Sequence, residues 1–417
     1  MSRSDATPVA DPLPEFLRSK SRGGEGSGNY RRNCERVVRE FLDWLARDTP
    51  EATFDALDAR TFRRYARDLT GHDPEAGEPL RRKELAPGTV LTYYAQVSAY
   101  VGWCVREGLL GENLAQRHVA KEPLPESDGR RSGDQQAWTD EHRLRITRHV
   151  DRRADEALDA RAAARDEGGG GDGSDADGER EAAGDAFAPV RAFRDRALVY
   201  LLCYSGVRGG EVLGDPTDDR RTGLRWADVS LADNTLTVLS KKQDWSDRSI
   251  PAQAVGPLER YERVLAPAGD DWPVFPTFHL PSLYGRLREE LPARGMEEDA
   301  VEERLDAVSG HAPVFDLLRE FDVAPPSINT DGGRRVMQRL CADADLDLDD
   351  RHGYLAPHGG RRGAGEVMVR QRGFTAAARL LDNSEAVVRK HYSHIDAKEM
   401  AEDAGRAFEE HDGPTRD

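Results

Sequence analysis

The sequence predicts a mainly α-helical protein with a small antiparallel β-sheet, an α+β fold built from two domains. Apolar residues recur every three or four positions through most of the chain, which is the spacing of helices that turn one face to a core. Three short stretches of strand-forming residues lie close together near the middle, at 226–229, 235–238 and 249–251. With 417 residues and 38% hydrophobic content, the chain can bury a sizeable core in each domain.

The first domain is predicted to be helical and to span residues 29–120. Residues 1–28, rich in Pro, Gly and Ser, are predicted to form a flexible tail. Periodic apolar residues indicate two long helices, with Tyr30, Cys34, Val37, Phe41 and Trp44 in one and Val90, Tyr94, Val97, Val101 and Cys104 in the other. A shorter helix between them carries basic residues that fit either phosphate contacts or a solvated face, namely Arg60, Arg63, Arg64 and Arg67.

Residues 138–400 are predicted to form the second domain, joined to the first by a linker at 121–137. The stretch 193–204 is apolar almost all round, so this helix is expected at the centre of the domain. Glycines and acidic residues at about 166–186 cannot form a core and predict a disordered insertion. The charged residues 401–417 are expected to form a mobile tail or an arm that contacts a partner.

Composition limits the possible function classes. The formal net charge is −17, and only seven of the 60 basic residues are lysine. Acidic, lysine-poor surfaces are typical of proteins from salt-loving archaea, and in molar salt the Debye length is only about 3 Å. A DNA-binding protein in such a setting would depend on close arginine contacts, whereas the alternative is an acidic protein with no polyanionic partner.

Neither a membrane nor a secretory location is indicated. No apolar run is long enough to span a bilayer, and no hydrophobic segment lies near Met1, so a cytoplasmic location is expected. The four cysteines are scattered without a Cys-x-x-Cys pair, which argues against both a disulfide framework and a zinc site.

A positively charged segment stands out near the end of this acidic chain. Between residues 351 and 394 there are eight Arg or Lys against three Asp or Glu, and the segment also contains His358, Arg361 and Tyr392. Tyr392 has two interpretations, because with Val388 and Ile395 it also has the spacing of a helix face turned to a core.

Two earlier positions add to the candidate site. Arg208 follows Ser205-Gly206-Val207 at the end of the central helix, and Glu211 lies three residues further on, where its carboxylate can hold the arginine. Lys241 and Lys242 lie at the second turn of the predicted sheet and stand out where lysine is so rare.

Taken in order, these residues resemble the boxes of the tyrosine recombinase family, also called the phage integrase family, in a haloarchaeal-like member of Xer or integrase type. The resemblance covers Asn29 to about Lys398. It implies a SAM-like helical core-binding domain followed by a tyrosine recombinase catalytic domain. It also implies double-stranded DNA as partner, a homotetramer on synapsed DNA sites, a monomer or weak dimer when free, and no membrane. The catalytic residues that it implies are Arg208, Lys241, His358, Arg361, Asn383 and the nucleophile Tyr392.

The chemistry explains why these residue types belong together. Tyr392 would attack a DNA phosphate and leave a 3′-phosphotyrosine link, whose energy allows rejoining without ATP. Arg208 and Arg361 would stabilise the charge on the phosphoryl oxygens, so neither a metal nor a cofactor is expected. His358 would accept or orient the tyrosine proton, and by resemblance Lys241 would protonate the leaving 5′-oxygen. The turn leaves the choice between Lys241 and Lys242 open by one residue.

Asn383 departs from the family pattern, in which many members have His or Trp in this region. Its amide can donate a hydrogen bond to phosphate but cannot carry charge. It also fits the N-cap of the helix that leads to Tyr392. Three alternatives therefore stay open beside an integrase, which are a Xer-type dimer resolvase, a type IB topoisomerase, and a catalytically impaired DNA-binding or regulatory protein of the same fold.

Overall fold

The computed structural model of the chain describes residues 7–20, 29–71, 85–126, 135–168, 187–241, 243–348 and 353–412. The prediction of a mainly helical fold with a small antiparallel sheet is confirmed. The chain divides into two compact units, 1–130 and 131–417, and the boundary falls inside the predicted linker. No helix in the described ranges is both long and apolar enough to cross a membrane.

The first unit is helical in all the ranges described. Its helices are α1 (Leu13–Ser19), α2 (Asn29–Asp48), α3 (Ala59–Thr70), α4 (Pro87–Arg106) and α5 (His118–Lys121), with 3₁₀ turns at Phe54–Ala56 and Leu114–Gln116. The core is aromatic, with Phe41 lying between the rings of Trp44, Phe62 and Tyr65 at centroid distances of 4.8–6.1 Å. Such ring contacts add to the stability gained from apolar burial.

The prediction of a flexible tail at 1–28 is wrong for residues 7–20. In α1, Leu13, Phe16 and Leu17 are buried, and Phe16 packs edge-on against Tyr100 at a centroid distance of 5.1 Å. Three apolar side chains among Pro and charged residues form one short amphipathic turn, which the overall composition concealed. In α2 the predicted apolar face holds except at Tyr30, whose residue surface is 57% exposed.

The second unit is organised around α7 (Ala188–Tyr204), which is buried along most of its length, as predicted. Around it lie α6 (Asp140–Gly168), α8 (Gly209–Val212), α9 (Ala252–Leu265), α10 (Leu280–Ala293), α11 (Glu298–Asp306), α12 (His311–Glu320), α13 (Thr330–Asp343), α14 (Pro357–Leu380) and α15 (Glu385–Asp412). A 3₁₀ turn at Trp226–Asp228 leads into the sheet.

The sheet has the strand order β1 (Val229–Ser230), β2 (Thr235–Leu239), β3 (Trp245–Ser249), all antiparallel. The third strand begins four residues earlier than predicted, at Trp245, which pairs with Leu239. The predicted turn at 244–247 is therefore mostly strand, and the β2–β3 turn occupies only residues 240–244. The first strand is also later than predicted, because residues 226–228 form the 3₁₀ turn.

Helix α14 lies unusually close to its neighbours because small residues line it. A Cβ atom on Gly360 would overlap the carbonyl group of Leu202 in α7, and one on Gly363 would overlap the backbone of Trp138. The Trp138 indole donates to the carbonyl of Ala356, just before the helix begins. The glycines around Arg361 therefore allow α14 to pack directly on the central helix.

Several predicted segments are only partly covered by the described residues. In the predicted linker 121–137, Gln136 is ordered and hydrogen-bonds to the backbone of Tyr354 and Ala356. Of the predicted insertion at 166–186, residues 166–168 end α6, and 169–186 lie outside the described residues. Of the predicted tail at 401–417, residues 401–412 continue α15, and the rest lie outside the description.

Candidate active site

Arg208 lies where the chain turns out of the central helix. Gly206 has a positive φ of 69°, which favours glycine, and the chain then becomes extended at Arg208 before α8. The carboxylate of Glu211 accepts from Arg208 Nη1 at 2.6 Å and from the Arg208 backbone N–H at 2.8 Å. Because the Glu211 side chain is almost fully buried, this pair fixes both the backbone and the guanidinium. Glu211 thus contacts Arg208 in the manner predicted.

Arg361 lies in the second turn of α14 and is buried. Its two terminal nitrogens donate to the backbone carbonyls of Gly206 and Leu381. Burial and the positive charge of Arg208 lower the pKa of Arg361 to about 10, while Glu211 opposes the shift. The guanidinium is therefore still charged at neutral pH and is held between the Arg208 turn and the start of the loop after α14.

Arg248, on the inner face of β3, is a third buried arginine that the sequence analysis missed. Its Nη2 lies 2.9 Å from Asp382 Oδ2 and 3.6 Å from Glu211 Oε1. Glu211 therefore lies between Arg208 and Arg248, so one buried carboxylate offsets charge on both. Its neighbours on the strand are polar, which is why no apolar alternation marked Arg248 as inward-facing.

Residues 381–383 form a short segment that we call the acceptor loop, because three arginines donate to it. Arg361 donates to the Leu381 carbonyl and Arg248 to the Asp382 carboxylate, while Arg208 Nη2 lies 3.4 Å from Asn383 Oδ1. Asp382 has a positive φ of 44°, a conformation that Asp tolerates better than most residues. The loop thus presents a carbonyl, a carboxylate and an amide oxygen to guanidinium groups from three separate parts of the chain.

Asn383 is close to Arg208 but is not the N-cap of α15. Its backbone N–H donates to the Ala378 carbonyl at 3.0 Å, and its side chain accepts from Arg208. The capping contact is made by Ser384, whose hydroxyl accepts from the Val387 N–H at 3.3 Å. The N-cap interpretation of Asn383 is therefore wrong, and its amide oxygen is engaged by an arginine.

His358 lies in the first turn of α14 and is solvent-exposed as a residue. The surrounding protein nevertheless desolvates the ring, and the charges of Arg362, Arg361 and Arg208 add to the effect, so the pKa of His358 is lowered to about 4. The imidazole is therefore neutral at physiological pH, and one ring nitrogen can accept a proton.

Tyr392 packs against α14 at a kink in α15, where its φ is −118° and its ψ is 19°. The side chain is buried in a small cluster with Val388, Ile395, Val369, Ala377, Ala378 and Leu381. The hydroxyl donates to the Arg362 carbonyl at 3.4 Å. Burial raises the pKa of Tyr392 to about 12, although Arg361 and Arg362 partly offset it. The predicted core face is therefore present, and it places the hydroxyl beside the arginine-bearing helix.

Lys241 is exposed at the β2–β3 turn, and Lys242 lies outside the described residues. In the described part of the chain, the Lys241 ammonium makes no ion pair. The turn itself is held to the rest of the site by Arg221, which donates to the carbonyls of Gly210, Leu239 and Ser240. Arg221 was missed because a single loop arginine has no periodic signal in the sequence.

The structure thus brings Arg208, Glu211, Arg361 and Asn383 into direct or shared contacts, with His358 near the two arginines and Tyr392 near Arg361. Within the described ranges, no group of His, Cys, Asp and Glu is arranged to hold a metal ion.

Comparison with known proteins gives structural neighbours. No family model matches the chain, and no curated protein matches it. The chain is similar to a crystal structure of XerA recombinase, at 14% identity over 98% of this chain and 100% of that chain, with a TM-score of 0.37. A lambda integrase dimer bound to a core site is 13% identical over 93% of this chain and 95% of that chain, with a TM-score of 0.49.

The integrase of the transposon Tn1549, solved in complex with a circular intermediate DNA, is 9% identical over 94% of this chain and 99% of that chain, with a TM-score of 0.49. These recombinases and integrases match the family that the sequence motifs resemble. Since the TM-scores lie below 0.5, the chemistry of this chain has to be inferred from its own site.

Proposed function

We propose that this protein is a site-specific DNA recombinase that cuts and rejoins DNA through a 3′-phosphotyrosine intermediate, without metal or ATP. The observation that carries the proposal is the convergence of Arg208 and Arg361 on one acceptor loop, with neutral His358 and the Tyr392 hydroxyl beside them. These residues come from three segments that are distant in the sequence, so a shared chemical role explains their meeting better than local packing does.

The acceptor loop supports a phosphate site in particular. Arginine forks donate two parallel hydrogen bonds, and they match carboxylate and phosphate oxygens alike. In the DNA-free protein, Arg208 donates to the Asn383 amide oxygen, a neutral and distant acceptor at 3.4 Å. A phosphodiester oxygen is charged and would be the stronger acceptor. The scissile phosphate would then take donors from Arg208 and Arg361, whose positive charge balances the developing transition state.

Tyr392 would supply the attacking oxygen. Its Oη forms a bond to phosphorus while the bond from phosphorus to the 5′-oxygen breaks, and the phenol proton leaves for the neutral His358. The pKa values of about 12 for Tyr392 and about 4 for His358 are far apart, so the proton would transfer only as the new bond forms. A phosphate anion near His358 would also favour its protonated form and make it a better acceptor.

The leaving 5′-oxygen needs a proton, which Lys241 would supply from the β2–β3 turn. An alkoxide is a poor leaving group, so a nearby ammonium donor accelerates the step. Lys242, one residue further on, stays the alternative donor.

DNA would also contact the basic surface that precedes Tyr392. Arg370, Arg372, Arg379 and Lys390 are exposed along α14 and α15, in a chain whose net charge is −17. In molar salt these contacts have to be short-ranged, which suits arginine. The last part of α15 exposes Met400 and Phe408, at 65% and 66%, and we propose that it docks on a neighbouring subunit in a tetramer on synapsed sites.

The test is covalent trapping on nicked suicide duplexes drawn from the flanks of the encoding gene, at 0.1 M and molar KCl. Cleavage near the nick releases a short fragment, which prevents rejoining and leaves protein attached to DNA. We expect a denaturation-resistant adduct that disappears in Tyr392→Phe and persists in the matched control Tyr354→Phe. DNA binding without any adduct would contradict the enzyme and favour the DNA-binding regulatory protein.

A further inference from the structure

We propose that Arg221 is a positioning residue that aligns the lysine-bearing β2–β3 turn with the Arg208 turn, and so directs proton delivery to the leaving group. The inference rests on the proposed function and assigns a role to a residue outside the family boxes. It concerns how the proton donor is placed rather than which residue donates.

The guanidinium of Arg221 bridges two segments by their backbone. Its Nη1 donates to the carbonyls of Gly210 and Leu239, each at 2.9 Å, and its Nη2 donates to the carbonyl of Ser240 at 2.9 Å. Gly210 lies two residues after Arg208, whereas Ser240 immediately precedes Lys241. One planar group therefore connects the phosphate-binding side of the site to the turn that carries both candidate lysines.

Arg221 is itself held in a fixed orientation. Its Nε lies 3.5 Å from Asp218 Oδ2, and the Asp218 side chain is only 4% exposed. The Arg221 backbone N–H donates to the Asp218 carbonyl at 2.8 Å, and the Arg221 carbonyl accepts from the Asp215 N–H at 2.8 Å. The segment 215–221 is thus a compact turn that aims a nearly buried guanidinium at its three carbonyl acceptors.

Backbone acceptors give this contact a specific requirement. Since all three are carbonyl oxygens, the contact does not depend on the side chains of the turn and serves Lys241 and Lys242 equally. Lysine at position 221 would keep the charge, but its single ammonium cannot reproduce a planar fork that spans two segments. Arg221→Lys and Arg221→Ala should therefore weaken the alignment in the same direction.

A change of leaving group separates this role from a general structural one. In a substrate with sulfur in place of the bridging 5′-oxygen, the phosphorus–sulfur bond breaks and a thiolate leaves. Thiols have a pKa near about 8.5, so this leaving group needs no proton from the protein. A variant that is defective only in proton delivery should recover on the sulfur substrate, whereas a misfolded or misassembled variant should stay slow on both.

The experiment compares single-turnover cleavage of oxygen and sulfur duplexes at the same mapped site. We expect Arg221→Ala and Arg221→Lys to slow cleavage of the oxygen duplex about 10- to 100-fold and to cleave the sulfur duplex within about threefold of the wild-type rate, as expected for loss of one proton-transfer contribution. Lys241→Ala and Lys242→Ala are run in parallel, and the true donor should show the same pattern.

Arg319→Ala is the matched control, because Arg319 also bridges backbone carbonyls, at Leu265 and Ala266, and pairs with Asp316. It should cleave both duplexes at nearly the wild-type rate. Equal slowing of both duplexes by the Arg221 variants, or no slowing, would overturn the inference while leaving the proposed function intact. If the wild type cleaves neither duplex, the proposed function itself fails.

Discussion

The two sides of the candidate site are built in opposite ways. On the acceptor-loop side, Arg248 and Arg361 are buried and donate to the segment 381–383, and half-buried Arg208 is gripped by Glu211. On the turn side, Lys241 is exposed, and only the backbone around it is fixed, through Arg221. The guanidinium groups are therefore pre-arranged, whereas the ammonium is placed only by its backbone.

This difference matches the two electrostatic tasks. Stabilising charge on a phosphoryl group is most effective when the donors are oriented beforehand and need no reorganisation during the reaction. A proton donor has to approach an oxygen that becomes basic only as its bond breaks, so an exposed ammonium on a fixed turn is sufficient. The arginines should accordingly tolerate substitution much less well than the turn.

Substitution of Arg208 should have the largest effect. Arg208→Ala should lower the cleavage rate by about 10³-fold or more, because one arginine fork in phosphoryl transfer contributes on that scale. Single-turnover cleavage of the suicide duplex measures the loss. On a duplex with a neutral methylphosphonate at the cut site, the loss should be much smaller, since less charge has to be stabilised. An equal loss on both duplexes would mean that Arg208 acts through the fold instead.

The next effect concerns the pocket that holds the nucleophile. A methyl group in Gly365→Ala would overlap the Tyr392 hydroxyl and ring, so the tyrosine has to move. We expect a loss of about 1–3 kcal/mol in the free energy of unfolding, which is typical of overpacking, and cleavage at least about 10-fold slower. Gly285→Ala, in α10 with open space around its Cβ, is the control and should be neutral in both denaturant melts and cleavage assays.

A smaller effect is expected from the pair beneath the acceptor loop. Asp382→Asn keeps a residue that tolerates positive φ but removes the charge that faces buried Arg248. Because Glu211 still lies 3.6 Å from Arg248, we expect a loss of only about 1–2 kcal/mol in stability. A double-mutant cycle with Arg248→Met, followed by chemical denaturation, measures the coupling. Additive effects would show that the two side chains do not stabilise each other.

The smallest effect should be the pH dependence contributed by His358. Its folded pKa of about 4 lies below the ordinary value near 6.5, so between these values the unfolded chain binds more protons. The free energy of unfolding should therefore fall as the pH decreases from about 6.5 to about 4. His358→Asn should flatten part of this fall, and His149, whose pKa is also lowered by burial, should account for a further part. Identical pH profiles for the wild type and the His358 variant would contradict the shift.

Sequence patterns predicted the parts of the molecule that repeat or that carry rare residue types. Helical spacing marked α2 and α4, the apolar run marked α7, and the order of Arg208, His358, Arg361 and Tyr392 marked the site. Helix α1 escaped because one amphipathic turn is too short for a periodic signal.

The remaining misses share a cause, which is that long-range partners decide them. The register of β3 depends on pairing with β2, and the inward position of Arg248 follows from that register. Arg221 gained its significance from carbonyl groups 11 to 19 residues away, which no local pattern encodes.

The most direct test of the central claim is to map the covalent link itself. The trapped adduct is treated with nuclease and trypsin, and the peptide that carries residual nucleotide is sequenced by mass spectrometry. The expected peptide is 391–398, with fragment ions that place the nucleotide on Tyr392 rather than on the neighbouring Ser393. A nucleotide on any other residue, or no modified peptide from cleaved DNA, would contradict the assignment of Tyr392 as the nucleophile.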